Sequence, residues 1–361
     1  MNPFKFVRSH WKFFVGSSIS LFLLWVVFHQ VRLSLLWQTL SRAHYVYLVP
    51  VLAILYGNMA LRAARWDFLL RPVKRVSFST LIGSLFIGFM ANNLLPARMG
   101  DVLRGYIMGK VEGISKTSSF ATIVVEKLFD AITVLGFLLV LFVTVKNMQT
   151  YPSFKKALKV GGYVSFGIFA VTLSVLFFIK NYFEQFCRVI AWALAPFSKL
   201  ALGWSERGVQ HLHSFREGLL SAERWDYLSA AFLFSFLTWG TYALAIHITC
   251  LTFRVTLPLS ASFLAMVAIC LGTVIPFTPG YIGTYHAAVT YSLLLYRVPL
   301  EKAVGISLVF HASCFLLTTL MGFFYLWRYR ISFRRVKEEV VEGPEPTRLG
   351  MISYAVFCLK K

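Results

Sequence analysis

Apolar runs close to or beyond the ~20 residues that cross a bilayer recur along this chain, separated by short polar or basic segments. No other feature restricts the fold as tightly. Backbone N–H and C=O groups in hydrocarbon must be satisfied within their own segment, so such runs become helices. They fall at about 13–28, 45–65, 117–145, 160–179, 228–251 and 303–327, with shorter apolar arms at 78–95, 102–113, 259–275 and 285–296. With 58% hydrophobic residues and a mean hydropathy of +0.68, the sequence reads as an all-α polytopic membrane protein.

Charge and cysteine content then exclude other classes. A net charge of +21 would suggest nucleic acid in a soluble chain. Here Lys and Arg sit mostly between apolar runs, where they set topology and meet anionic headgroups, and no compact basic domain exists. The implied partner is membrane lipid, not nucleic acid, and a homo-oligomer is compatible with the sequence. Cys187, Cys250, Cys270, Cys314 and Cys358 stand singly, which gives neither a disulfide framework nor zinc spacing. His211-x-His213 lacks further clustered ligands, so no metal and no cofactor is expected. Lys5, Arg8 and Lys12 precede the first apolar run without a clear cleavage pattern, which predicts a retained signal anchor.

Two of the apolar arms are interrupted in the same way. Pro96 and Gly100 break the first, Pro276 and Gly280 the second, each as P-x-x-x-G and 180 residues apart. Pro and Gly between two apolar arms read as a broken helix, the device with which transporters build polar sites at membrane depth. Each half then has two spans, an apolar arm, a break, a short arm and a long helix. The order predicts a single transmembrane domain over 1–330 with repeat halves at about 10–145 and 160–328, and a solvated cytoplasmic tail over 331–361. If both broken hairpins are re-entrant, there are six full crossings and the halves have inverted topology. If the first arms cross fully, there are eight spans. The Lys/Arg distribution favours the re-entrant arrangement, with both termini cytoplasmic. Residues 62–75 read as a basic cluster closing the second span, and 181–226 as either an amphipathic surface helix or an ordinary packed loop helix.

The candidate site residues cluster around these breaks. Asp101 is expected to cap a helix whose positive end faces the membrane interior, with Arg98 and Arg104 beside it and Asn92 and Asn93 on the other arm. That set suits a phosphate-bearing headgroup; the competing reading is an Arg98–Asp101 pair that only locks the hairpin. Glu126 and Asp130 are four apart, on one helix face, with Lys127 between them. Two stacked carboxylates repel unless cations or protons intervene, and a purely structural salt bridge is the plain alternative. In the second break Thr278 is expected to cap a helix starting at Pro279, with Gly280 and Gly283 allowing close backbone approach and Thr284 following. His286 and His311 lie beyond it, either as packing residues or, because His changes charge near neutral pH, as proton-coupled groups.

The stretch Asn93-Leu94-Leu95-Pro96-Ala97-Arg98-Met99-Gly100-Asp101-Val102-Leu103-Arg104, then Glu126-Lys127-Leu128-Phe129-Asp130, resembles the flippase-like transmembrane domain of lysylphosphatidylglycerol synthases. Thr278-Pro279-Gly280-Tyr281-Ile282-Gly283-Thr284-Tyr285-His286 resembles that family's second motif. Stand-alone relatives include UPF0104 membrane proteins and proteins linked to hopanoid and archaeal glycolipid pathways. The family often carries Glu at the position of Asp101, Arg at that of Lys127, and Glu and Arg at those of His286 and His311. The aminoacyl-transferase domain of the full synthases is expected to be absent, so the resemblance implies lipid translocation and not synthesis.

The leading expectation is therefore a transporter, not an enzyme: a flippase moving a phosphate-bearing amphipathic lipid between leaflets of a bacterial inner membrane. Arg98, Arg104 and the helix start at Asp101 would hold the headgroup, and Glu126 and Asp130 would balance charge. The alternatives are a membrane-embedded transferase on polyprenyl-linked substrates, with Asp130 or Glu126 as base, and a non-catalytic subunit of an envelope-lipid assembly.

Overall fold

A computed structural model of the chain describes residues 3–95, 99–145, 225–273 and 279–333, with a few isolated residues between 163 and 185; of residues 3–15 and 143–145 it describes the backbone alone. Pro96, Arg98, Pro276, Thr278, most of the expected span at 160–179, most of the polar stretch at 181–226 and nearly all of the tail lie outside the described residues. Among those described there is no strand.

The helices follow the apolar runs closely. They are α1 (Pro3–Phe28), α2 (Leu33–Ser41), α3 (Leu48–Leu70), α4 (Phe78–Leu94), α5 (Gly100–Glu112), α6 (Lys116–Val145), α7 (Trp225–Thr252), α8 (Leu259–Gly272), α9 (Thr284–Leu294) and α10 (Leu300–Arg328). Among the described residues three stretches are long and apolar enough to cross a membrane, namely Tyr45–Leu70, Trp225–Thr252 and Leu300–Arg328. The end of α1 and α2 form a bent pair, its two parts turned 85° from each other, that is either a broken fourth span or a re-entrant loop. Helix α6 is longer still at 30 residues. Its Glu126 and Asp130 are the kind of charges that make a span costly unless they face protein.

Local chemistry sets two of the ends plainly. Ser77 caps α4 by accepting from the Thr80 amide at 3.2 Å. Gly113, with φ +69°, closes α5 in the left-handed conformation that glycine adopts without strain. Two expected caps differ. Met99, not Asp101, is the N-cap of α5, and Asp101 lies in the first turn. Pro279 does not begin an α-helix. It opens a single 3₁₀ turn, Pro279–Tyr281, and α9 begins only at Thr284 after Gly283. The cause is the backbone of Gly280 (φ +56°) and Gly283 (φ +92°), which no continuous helix accommodates. The basic cluster at 62–75 also divides differently: α3 runs to Leu70, so Arg62 and Arg65 lie within the helix and are buried.

Packing around α3 organises the rest. Helix α7 runs antiparallel to it, as shown by the His44 amide on the Thr252 carbonyl (2.8 Å) at one end and the Phe68–Tyr227 ring contact at the other. Helices α4 and α5 fold back on each other so closely that a Cβ on Gly100 would collide with the Gly88 carbonyl oxygen. At the open end of this hairpin Lys74 and Glu112 pair at 3.5 Å. Helices α8 and α9 form the second hairpin, and at its open end the Tyr296 hydroxyl donates to Ser260 at 3.1 Å. The two hairpins approach each other beside their breaks: a Cβ on Gly280 would lie 3.4 Å from the Asn93 carbonyl oxygen. Helix α10 spans both hairpins, bound to the first through Asn93 and to the second through His311. Among the described residues three apolar clusters result, one around α3, α4 and α5, one around α7, α8 and α9, and a smaller one of Val27, Val31, Leu36 and Val304 that ties α1 and α2 to α10.

Candidate functional site

Three helices bring five ionisable side chains together inside the bundle. Along α3, Asn58, Arg62 and Arg65 are spaced four and three apart and so share one face. Glu126 and Asp130 present one face of α6, and Arg104 reaches in from α5. All five charged groups are at least nine-tenths buried.

Arg65 is the centre. One terminal nitrogen meets Asp130 Oδ1 at 2.6 Å and Ser235 Oγ at 2.8 Å. The other meets Glu126 Oε1 at 2.9 Å and Asp130 Oδ2 at 3.4 Å. Arg104 takes the other side of Glu126 as a two-pronged pair, at 2.7 and 3.3 Å. Its guanidinium lies 4.1 Å from the centre of the Trp66 ring, and the Trp66 indole donates to Thr122 at 2.9 Å. The indole of Trp239 donates to Asp130 Oδ1 at 2.9 Å. Every carboxylate oxygen of Glu126 and Asp130 therefore accepts from a guanidinium, which is how repulsion between carboxylates four apart is relieved.

Arg62 differs from its neighbours. Its Nε donates to Asn58 Oδ1 at 3.1 Å, and the Asn58 amide is anchored on the Thr238 carbonyl (2.6 Å) and Thr241 (3.0 Å). The guanidinium carbon lies 5.4 Å from the centre of the Phe89 ring and 5.3 Å from that of Trp239. Asp101 and Lys127 pair at 3.4 Å on the more exposed rim, with Arg104 3.5 Å from Asp101.

The other predicted site residues have different partners. Asn92 accepts from the Gly100 amide at 2.8 Å and thereby takes up an N–H of the α5 start. Asn93 donates to Thr318 and Thr319, each at 3.0 Å. At the second tip Thr284 donates to the Tyr281 carbonyl at 3.1 Å, and His311 Nε2 donates to the Gly280 carbonyl at 2.9 Å. His286 stands perpendicular to His311, ring centres 4.9 Å apart, with Nδ1 3.4 Å from Ser307. Tyr285 joins this group to α7 through a 2.8 Å hydroxyl contact with Tyr242. Gly283 lies against the backbone of Ser20 in α1, and the Ser20 hydroxyl donates to the Ile282 carbonyl.

Arg62, Arg65, Asn58 and Trp239 were not among the candidates from sequence. The available signal was the Asn58/Arg62/Arg65 spacing, which places three polar groups on one face of an otherwise apolar helix.

A multi-pass helical membrane protein with an ion-pair network at its centre is the class this fold and site define. Residues 13–322 match the family described as the lysylphosphatidylglycerol synthase TM region, and the chain belongs to it. A UPF0104 membrane protein of Pyrococcus horikoshii is 24% identical over 327 residues, covering 85% of this chain and 93% of that one. Another from Methanocaldococcus jannaschii is 25% identical over 254 residues, covering 70% of this chain and 97% of that one. The glycosyltransferase AglD of Haloferax volcanii is 35% identical over 91 residues, a quarter of this chain and 15% of that protein.

Proposed function

We propose that this protein moves a phosphate-bearing amphipathic lipid between the leaflets of the cytoplasmic membrane. The observation that carries the reading is the meeting of two broken hairpins at their tips, beside a buried ionic network. Irregular backbone at membrane depth is tolerated where protein buries it or a polar path runs along it. On this reading both hairpins are re-entrant and enter from opposite faces, giving two inverted repeats and six crossings with cytoplasmic termini. The Lys74–Glu112 pair at the open end of one hairpin and the Tyr296–Ser260 bond at that of the other support it, because α3 and α7 run antiparallel. Asn93 and Gly280 lie against each other, so on this reading passage of a headgroup between the hairpins requires them to part.

The family relationship supports a lipid substrate without naming one. A transferase reading draws on the partial similarity to AglD, with Glu126 or Asp130 as base. The geometry favours it less, since both carboxylates are already held by Arg65, Arg104 and Trp239. Leaflet-resolved transport in proteoliposomes separates the two. Fluorescent phosphatidylglycerol should cross faster than in protein-free vesicles. No acceleration, together with product formation from a polyprenyl-linked donor, would replace the transporter with the transferase.

A further inference from the structure

The charges inside the bundle do not balance. Arg62, Arg65 and Arg104 face Glu126 and Asp130, while Asp101 and Lys127 offset each other on the rim. Among the described residues the surplus is one positive charge, and the hydrogen bonds show where it resides. Both terminal nitrogens of Arg65 and of Arg104 meet carboxylates. Those of Arg62 meet none: among the described residues only its Nε is bonded, to Asn58. Yet Arg62 is only 7% exposed. Its terminal nitrogens are not fully enclosed, so an otherwise buried guanidinium keeps an accessible fork that no described protein group occupies, an arrangement that is costly at membrane depth unless an anion meets it.

Its surroundings hold it in place without neutralising it. Asn58 fixes the Nε edge, and the Phe89 and Trp239 ring centres lie within 5.4 Å of the guanidinium carbon, so the fork of terminal N–H groups is presented already oriented. A planar fork of this kind matches two oxygens of a phosphate. Trp239 also packs edge-on against Tyr242, 6.1 Å between ring centres, and Tyr242 leads through Tyr285 to the second hairpin. Arg62 thus stands beside the polar groups of both halves.

We propose that Arg62 binds the anionic phosphate of a lipid headgroup, with a singly charged phosphodiester matching the single surplus charge. This rests on the lipid-transport reading and gives it a binding residue beside those that the sequence suggests, Arg98, Arg104 and the helix start at Asp101, of which Arg104 is paired with Glu126 and Arg98 lies outside the described residues.

The test is binding, measured apart from transport. The purified full-length protein in detergent is titrated with phosphatidylglycerol, phosphatidylcholine or glycerol phosphate and examined by native mass spectrometry. Wild type should retain phosphatidylglycerol over phosphatidylcholine. Arg62→Gln should weaken phosphatidylglycerol about tenfold or more, the scale of a lost charge-assisted hydrogen bond, and Arg62→Lys should fall between. Glycerol phosphate should compete only weakly, because it lacks the acyl chains. Equal retention of both lipids by wild type would overturn the proposal even if no variant folds, and so would undiminished phosphatidylglycerol binding by Arg62→Gln. Glycerol phosphate binding as tightly as the lipid would replace the headgroup with a soluble anion. Arg62-dependent binding without transport in vesicles would leave this inference standing and remove the flippase.

Discussion

At the scale of single residues, the network separates groups whose removal breaks the fold from groups at its edge. Glu126 is shared by two buried guanidiniums. Replacing it with Gln removes the anion from both, and breaking one partner of a buried pair costs about 3–5 kcal/mol. Lys127, next in sequence, is about half exposed and pairs with a partly exposed Asp101, an interaction worth about 0–1 kcal/mol. Thermal unfolding in detergent should therefore show Glu126→Gln melting well below wild type and Lys127→Gln close to it; equal shifts would mean that the buried pairs do not carry the stability assigned to them. Glu126 and Asp130 were legible from their spacing, because two carboxylates on one face of an apolar helix demand partners. The partners were less so. Positive charge near the end of a span ordinarily marks a membrane boundary, so Arg62 and Arg65 read as part of a flanking cluster. Only the length of α3, which continues to Leu70, places them inside.

At the scale of elements, the apolar runs mark helix positions well and the breaks poorly. Helix α4 spans Phe78–Leu94 against an expected 78–95, and α6 spans Lys116–Val145 against 117–145, because continuous apolar sequence has no other stable form in hydrocarbon. Helix α2 is not legible in the sequence, since its nine residues are too few to stand out and its exposed Leu33 and Trp37 do not signal a buried face. Capping rules place helix starts at Asp101 and Pro279, but the backbone crossings at Gly100 and Gly283 decide where the helices begin. Those crossings are testable. In Gly100→Ala the new Cβ would meet the Gly88 carbonyl, a backbone atom that cannot swing aside, so the α4–α5 hairpin must open. Gly136, within α6, has open space where a Cβ would stand, with nothing within 4 Å, and alanine there should stabilise the helix by up to about 1 kcal/mol. Folded yield and melting temperature should fall sharply for Gly100→Ala and hold or rise for Gly136→Ala. The reverse order would mean that the close approach of α4 and α5 is not a constraint.

At the scale of the whole molecule, α10 is the element both hairpins share. It holds the first through Asn93 on Thr318 and Thr319 and the second through His311 on the Gly280 carbonyl. If the headgroup passes where the tips meet, fixing the first tip to α10 should stop it. The direct measurement uses Asn93→Cys/Thr319→Cys in a background without the native cysteines, reconstituted in vesicles with fluorescent phosphatidylglycerol. Reduced protein should translocate the lipid, oxidised protein should not, and reduction should restore the rate. Full translocation with the disulfide quantitatively formed would contradict passage between the tips.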